Sequence, residues 1–91
     1  MVIEEQEKHI YERLRQEREK LHLSQLELSL EAGVSQNMIA YIEKGKRTPS
    51  ITTVLKLCNA MKIDPSVLFL KHDAEKEQAK QTVLEIIQKF M

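Results

Sequence analysis

Between residues 36 and 44 the sequence reads Gln-Asn-Met-Ile-Ala-Tyr-Ile-Glu-Lys. Wound as a helix, this stretch puts Ile39 and Ile42 i, i+3 on one face, while Gln36, Asn37, Ala40, Tyr41 and Lys44 repeat as i, i+1, i+4, i+5 and i+8 on the other. The outer face is therefore a row of carboxamide, phenol and ammonium groups around one small methyl. That is hydrogen-bonding chemistry suited to reading a polar surface, and it contains no nucleophile paired with a base. The competing reading is a plain solvated helix face. Lys46-Arg47-Thr48 follows at once, adding two cations and a hydroxyl in a loop closed by Pro49.

Charge separates these readings better than the total does. The chain carries 14 Lys and Arg against 14 Asp and Glu. Residues 1–35 hold eight acids and five bases, a net of −3; residues 36–62 hold one acid, Glu43, and five bases, a net of +4; residues 63–91 hold five acids and four bases, a net of −1. The polar row thus sits in a positive island, the arrangement a polyanion attracts.

Other chemistries find little support. His9, His22 and His72 are far apart, with no Cys or carboxylate at metal-ligand spacing, and no glycine-rich phosphate loop is present. No metal, cofactor or catalytic constellation is expected, and the enzyme reading lacks a convergent polar pocket. Cys58 cannot pair within the chain, and it falls on an apolar helix face, where a core residue is the simpler reading than a nucleophile. Tyr11, Phe69 and the methionines also read as packing. The first 20 residues are too charged for an export signal, and the longest apolar run, Val67 to Leu70, is four residues, so a cytoplasmic location is expected.

What must position the polar row is a set of short helices. With two Gly, two Pro and four aromatics in 91 residues, a many-stranded sheet is disfavoured and an all-α fold is expected. Ile10 and Leu14 mark a first helix ending near Leu21, with His22 in the turn at positive φ. Leu26 to Glu31 alternates apolar and polar, as a strand would. Ser24 and Glu27 nevertheless form a capping box, Leu23 and Leu28 occupy the two positions of a hydrophobic staple, and Gly33 can terminate a two-turn helix. Ser35 caps a third helix, residues 36–44, stopped by Gly45; Ser50 caps a fourth with Ile51, Val54, Leu55, Cys58 and Met61 on one broad apolar face. Asp64-Pro65 opens a short fifth helix through Val67, Leu68 and Phe69. Ala79, Val83, Ile86, Ile87 and Phe90 fall at helical spacing and predict an amphipathic sixth.

Two short helices joined by Ala32-Gly33-Val34-Ser35 are the signature of a helix-turn-helix. Residues 10–70 resemble the phage-repressor and Cro-like (XRE-type) domain. The resemblance runs from Leu14 and Arg18 through Leu23-Ser24-Gln25, Leu28, Ala32 to Ser35, Ile39, Ile42-Glu43-Lys44-Gly45-Lys46 and Pro49-Ser50 to Leu57 and Leu68. It implies a compact five-helix, lambda-repressor-like domain over residues 1–71, to which residues 72–91 add the C-terminal amphipathic helix. In that family helix 36–44 is the recognition helix lying in the major groove. Gln36 and Asn37 would then offer bidentate partners to adenine, Ala40 or Met38 would touch a thymine methyl, and Tyr41 would reach a base or phosphate. Phosphate contacts would come from Gln25, Lys44, Lys46, Arg47 and Thr48, with a merely solvated surface as the lesser alternative for Lys44 and Lys46. Arg18 and Glu43 would form a partly buried structural ion pair.

Two features depart from the family. Leu26 and Leu30 stand where polar residues are usual, which implies cover from the first helix, the terminal helix or a protein partner. The terminal helix is also an addition, and Val83, Ile86, Ile87 and Phe90 are expected to dimerise the chain, with folding back onto its own domain as the alternative. The expected function is sequence-specific binding of double-stranded DNA as a dimeric repressor of a palindromic operator. A controller of a restriction-modification operon or an autoregulating antitoxin would fit the size. The alternative is a protein-interaction module whose DNA binding is secondary.

Overall fold

The computed structural model describes residues 2–70, which form four α-helices and one 3-10 helix. They are α1, Ile3–Lys20; α2, Gln25–Ala32; α3, Gln36–Glu43; α4, Ile51–Met61; and the 3-10 helix Pro65–Phe69. No strand occurs among the described residues. The sixth helix expected over Val83, Ile86, Ile87 and Phe90, and the domain boundary at residue 72, lie outside them.

Local chemistry starts each helix after the first. Ser24, Ser35 and Ser50 each accept a hydrogen bond from the backbone N–H three residues on, those of Glu27, Met38 and Thr53. Glu27 completes the capping box by accepting from the Ser24 N–H at 3.0 Å, and these bonds hold its carboxyl below the ordinary value. The alternation over residues 26–31 does not make a strand because these caps satisfy the first-turn donors that a strand would have to pair elsewhere.

Helix ends follow a similar logic. After α1, the His22 N–H bonds the Glu19 carbonyl and the Leu23 N–H bonds that of Arg18; after α3, Gly45 and Lys46 bond Ile42 and Tyr41; after α4, Lys62 and Ile63 bond Asn59 and Cys58. All three are Schellman closures, which require one left-handed residue each. Gly45 supplies it at φ 71°, but His22 and Lys62 also adopt φ 57°. Only the Lys62 position carried no sequence signal, since a lysine is not a residue that selects this conformation. Gly33, at φ 69°, ends α2.

The core gathers Tyr11 and Leu14 of α1, Leu28 of α2, Ile39 and Ile42 of α3, Leu57, Cys58 and Met61 of α4, and Leu68 of the 3-10 helix, with Val34 from the turn. α2 packs against α3 and α4, and α1 spans the other side against α3 and the 3-10 helix. His9 Nε2 donates to the Leu70 carbonyl at 2.7 Å, tying the end of the 3-10 helix to α1. Burial pushes the Cys58 thiol up, with the Asp64 charge adding to it, as suits a packed thiol rather than a nucleophile.

The structure corrects three expectations. The buried face of α4 is Leu57, Cys58 and Met61 with Val54 partly buried beside them, whereas Ile51, the first residue of the helix, and Leu55 are exposed. Phe69 is 71% exposed and packs no core, because Leu68 beside it fills the inward position. The fifth helix is 3-10, since with five residues it closes by short bonds such as Val67 N–H to the Asp64 carbonyl.

Gly33 has open space where a Cβ would stand, so Gly33→Ala is a pure test of backbone conformation. It should lower unfolding free energy by about 1–2 kcal/mol, read as a shift of the urea midpoint at unchanged m-value.

Candidate nucleic-acid interface

The turn Gly33 to Ser35 sets α3 against α2, and Ile39 and Ile42, each 1% exposed, anchor α3 in the core. Inserting these two side chains dictates what the helix shows to water. Gln36 and Asn37 are exposed at its N-terminal end, Ala40 is half-buried, and Tyr41 is 46% exposed one turn further along. Met38 is also half-buried and packs against the core. Past the helix, Lys44, Lys46, Arg47 and Thr48 are all exposed. A polar strip and a basic loop therefore follow one another along the exposed surface.

A buried ionic node fixes α3 at its other end. Arg18 Nε and Nη2 donate to Glu43 Oε2 and Oε1 at 2.8 and 2.9 Å, and Arg18 Nη1 donates to the Leu23 carbonyl at 2.7 Å. Gln25 Nε2 donates to the same Glu43 Oε1 at 3.0 Å. The two ion-pair side chains are 11% and 6% exposed. The hydrogen bond to Glu43 lifts the Arg18 guanidinium above its ordinary value against the opposing effect of burial. Gln25 is thus held from inside, its carboxamide already committed on one side, and any contact it makes outward is made by a side chain whose position is set in advance.

Some of this was not visible from spacing. The Gln25 bond to Glu43 crosses 18 residues and has no periodic signal. One clue existed in composition: Glu43 is the sole acid of the basic segment 36–62. A second unforeseen pair is Arg13 with Glu17, joined at 3.0 Å on the buried face of α1, where the i, i+4 spacing was the available hint. Leu26 and Leu30 are 51% and 77% exposed, so α1 does not cover them. The dimerisation residues Val83, Ile86, Ile87 and Phe90 are outside the described residues. Among the described residues, no cluster of His, Cys, Asp or Glu is placed to hold a metal, and no helix is long and apolar enough to cross a membrane.

Residues 14–68 match the helix-turn-helix family. The chain belongs to the XRE-type helix-turn-helix family. This is a family of transcriptional regulators that bind double-stranded DNA. An HTH-type transcriptional regulator of Mycobacterium tuberculosis is 29% identical over 58 residues, covering 64% of this chain and 41% of that protein. One of Haemophilus influenzae is 50% identical over 40 residues, covering 44% and 41%. The match thus spans about two-fifths of the length of these relatives. Among solved structures, the restriction-modification controller protein C.AhdI from Aeromonas hydrophila is 34% identical, with a TM-score of 0.65 over 67% of this chain and 92% of that one. The clp gene regulator ClgR from Corynebacterium glutamicum shares the fold at 19% identity, with a TM-score of 0.68 over 92% of this chain and 87% of that one.

Removing one partner of the node strands the other in a desolvated setting. Glu43→Ala should cost about 3–5 kcal/mol in urea unfolding. Glu43→Gln keeps the shape and one acceptor oxygen but turns an amide NH2 toward a donor of Arg18, so it should recover only part of that loss.

Proposed function

We propose that this helix-turn-helix protein is a sequence-specific regulator acting as a dimeric repressor, with α3 reading a palindromic operator. The observation that carries the reading is the strip of exposed Gln36, Asn37 and Tyr41 around half-buried Ala40, held over buried Ile39 and Ile42 and followed by the basic loop. In the major groove, Gln36 and Asn37 match the donor and acceptor edge of adenine, and Ala40 fits a thymine methyl. Gln25, Lys44, Lys46, Arg47 and Thr48 then hold phosphates on either side and set the register. Helix 36–44 is too wide for the deep, narrow major groove of duplex RNA, which favours DNA.

A single module of this size offers limited affinity, and a two-fold dimer gains a second half-site about 34 Å along the duplex. Val83, Ile86, Ile87 and Phe90 are the residues proposed to join the copies. The likeness to a restriction-modification controller supports a controller of that kind over an antitoxin. A second reading draws on Leu26 and Leu30, whose exposure suits a protein partner that modulates DNA binding.

Selection from a randomised duplex library tests the proposal directly. A palindromic winner preferred over scrambled DNA by at least ~10³ at physiological salt is expected. Weak binding that is indifferent to sequence and lost with salt would leave only the electrostatic contribution and overturn the reading. On the winning duplex, Gln36→Ala should relax specificity at one base position by about 1–3 kcal/mol, whereas Lys46→Ala should weaken all sequences alike and reduce the salt slope by about one. In the full chain, Ile86→Glu with Ile87→Glu should give a monomer by light scattering with much weaker operator binding; an unchanged dimer would place the interface elsewhere.

A further inference from the structure

The end of the 3-10 helix is held on the N-terminal half of α1, where His9 donates to the Leu70 carbonyl, and Leu70 and its neighbour Phe69 are both exposed. Ile10, next to His9, is half-buried at the edge of the core, and Ile3, seven residues earlier on the same side of the helix, is exposed. Four apolar side chains at one end of the domain are thus left wholly or partly open by its core.

The chain runs on from Leu70 to residue 91. Its apolar positions Ala79, Val83, Ile86, Ile87 and Phe90 include those proposed to join two copies, and a helix with one apolar face is stable only against a counterpart. Three exposed sets are open to it: Leu26 and Leu30 on α2, Ile51 and Leu55 on α4, and the set around Leu70. Charge disfavours α4. Wound as a helix, Lys76 and Lys80 continue the edge of Val83 and Ile87 at i, i+4, i+7 and i+11, and exposed Lys56 stands beside Leu55, whereas exposed Glu4 and Glu5 follow Ile3. The place where the chain leaves disfavours α2, whose main packing partners are α3 and α4 and not the 3-10 helix. Residues 71–78 reach at most about 26 Å even when extended. They start within the set around Leu70, and in a two-fold pair that meets there each segment starts beside the partner's copy of the same surface.

We propose that the surface of Ile3 and Ile10 on α1, with Phe69 and Leu70, receives segment 79–90 of a second copy, and that the exchange is reciprocal. The inference rests on the proposed dimer and names the counterpart that its terminal residues need. It also ties dimer geometry to operator spacing. Arg18 and Glu43 join α1 to α3, so a partner held on α1 fixes the distance between the two reading helices.

Light scattering on the full chain, without DNA, tests the docking. Ile3→Glu combined with Phe69→Glu alters two exposed side chains, so the helical circular dichroism should persist while the dimer dissociates at least about 30-fold more readily, the scale of an interface hot spot. Leu30→Glu on α2 should leave the dimer as in the parent, and the reverse pattern would overturn the proposal. A chain carrying Phe69→Cys and a differently tagged chain carrying Ile86→Cys should be joined by a short thiol cross-linker, Cys58 being buried. Linkage confined to a chain that carries both cysteines, at the mass of one chain, would mean that the segment folds back on its own domain, and the exchange would be wrong. A dimer untouched by Ile3→Glu and Phe69→Glu but lost with Ile86→Glu and Ile87→Glu would sink this docking alone. A parent that stays monomeric at every concentration would remove the dimer itself and the docking with it.

Discussion

The Arg18–Glu43 pair is the contact that joins α1, α2 and α3 behind the proposed DNA-facing side. Arg18 belongs to α1, the carbonyl it also binds belongs to the turn before α2, Glu43 ends α3, and Gln25 of α2 shares a carboxylate oxygen with it. Three helices and one turn thus meet at two charged side chains. Desolvating them is costly, and the pair is stable only because both guanidinium edges and both carboxylate oxygens find partners at 2.7–3.0 Å. An apolar substitute would bury as well but would not dictate an angle. Directional bonds at this node constrain the rotation of α3 about its axis, and that rotation decides which residues face outward.

The rest of the scaffold is local. Serine caps begin α2, α3 and α4, and left-handed residues end all four helices or the turns immediately after them. With boundaries set within each segment, packing has only to join short rigid pieces, and the core that joins them is small: ten buried apolar side chains among the described residues. Leu26, Leu30, Ile51, Leu55 and Phe69 are among the exposed apolar residues that this core leaves over. They are not evenly useful. Leu26 and Leu30, i, i+4 on the outer face of α2, lie on the element adjoining the proposed reading helix.

Electrostatics follows from the same economy of elements. The chain is neutral, yet its basic segment 36–62 contains α3, the loop and α4, and its one acid is consumed by Arg18 and Gln25. The exposed charge of that segment is therefore more positive than its sequence sum. Glu4, Glu7 and Glu12 of α1 line a groove with Lys44 and Thr48, and there the phenol of Tyr11 donates to the Glu7 carboxylate.

Caps, helix ends and the inward pair Ile39 and Ile42 were legible in the sequence because they depend on residues three or four apart, where the chain itself enforces the neighbourhood. His22 at positive φ was readable for the same reason. The helix-turn-helix arrangement was legible from the ordered spacing around Gly33, and the outward strip of α3 from helical periodicity. Tertiary structure alone decided the rest. It chose Leu57 over Ile51 and Leu55 as the inward residue of α4, left Phe69 in water, and put Lys62 in a left-handed conformation that its side chain does not favour. It also brought Gln25 to Glu43 and set Tyr11 and Thr48 along one groove. These outcomes depend on where one helix ends relative to another and on which side chain reaches the shared core first, and no pattern within a single segment encodes the distance between two segments.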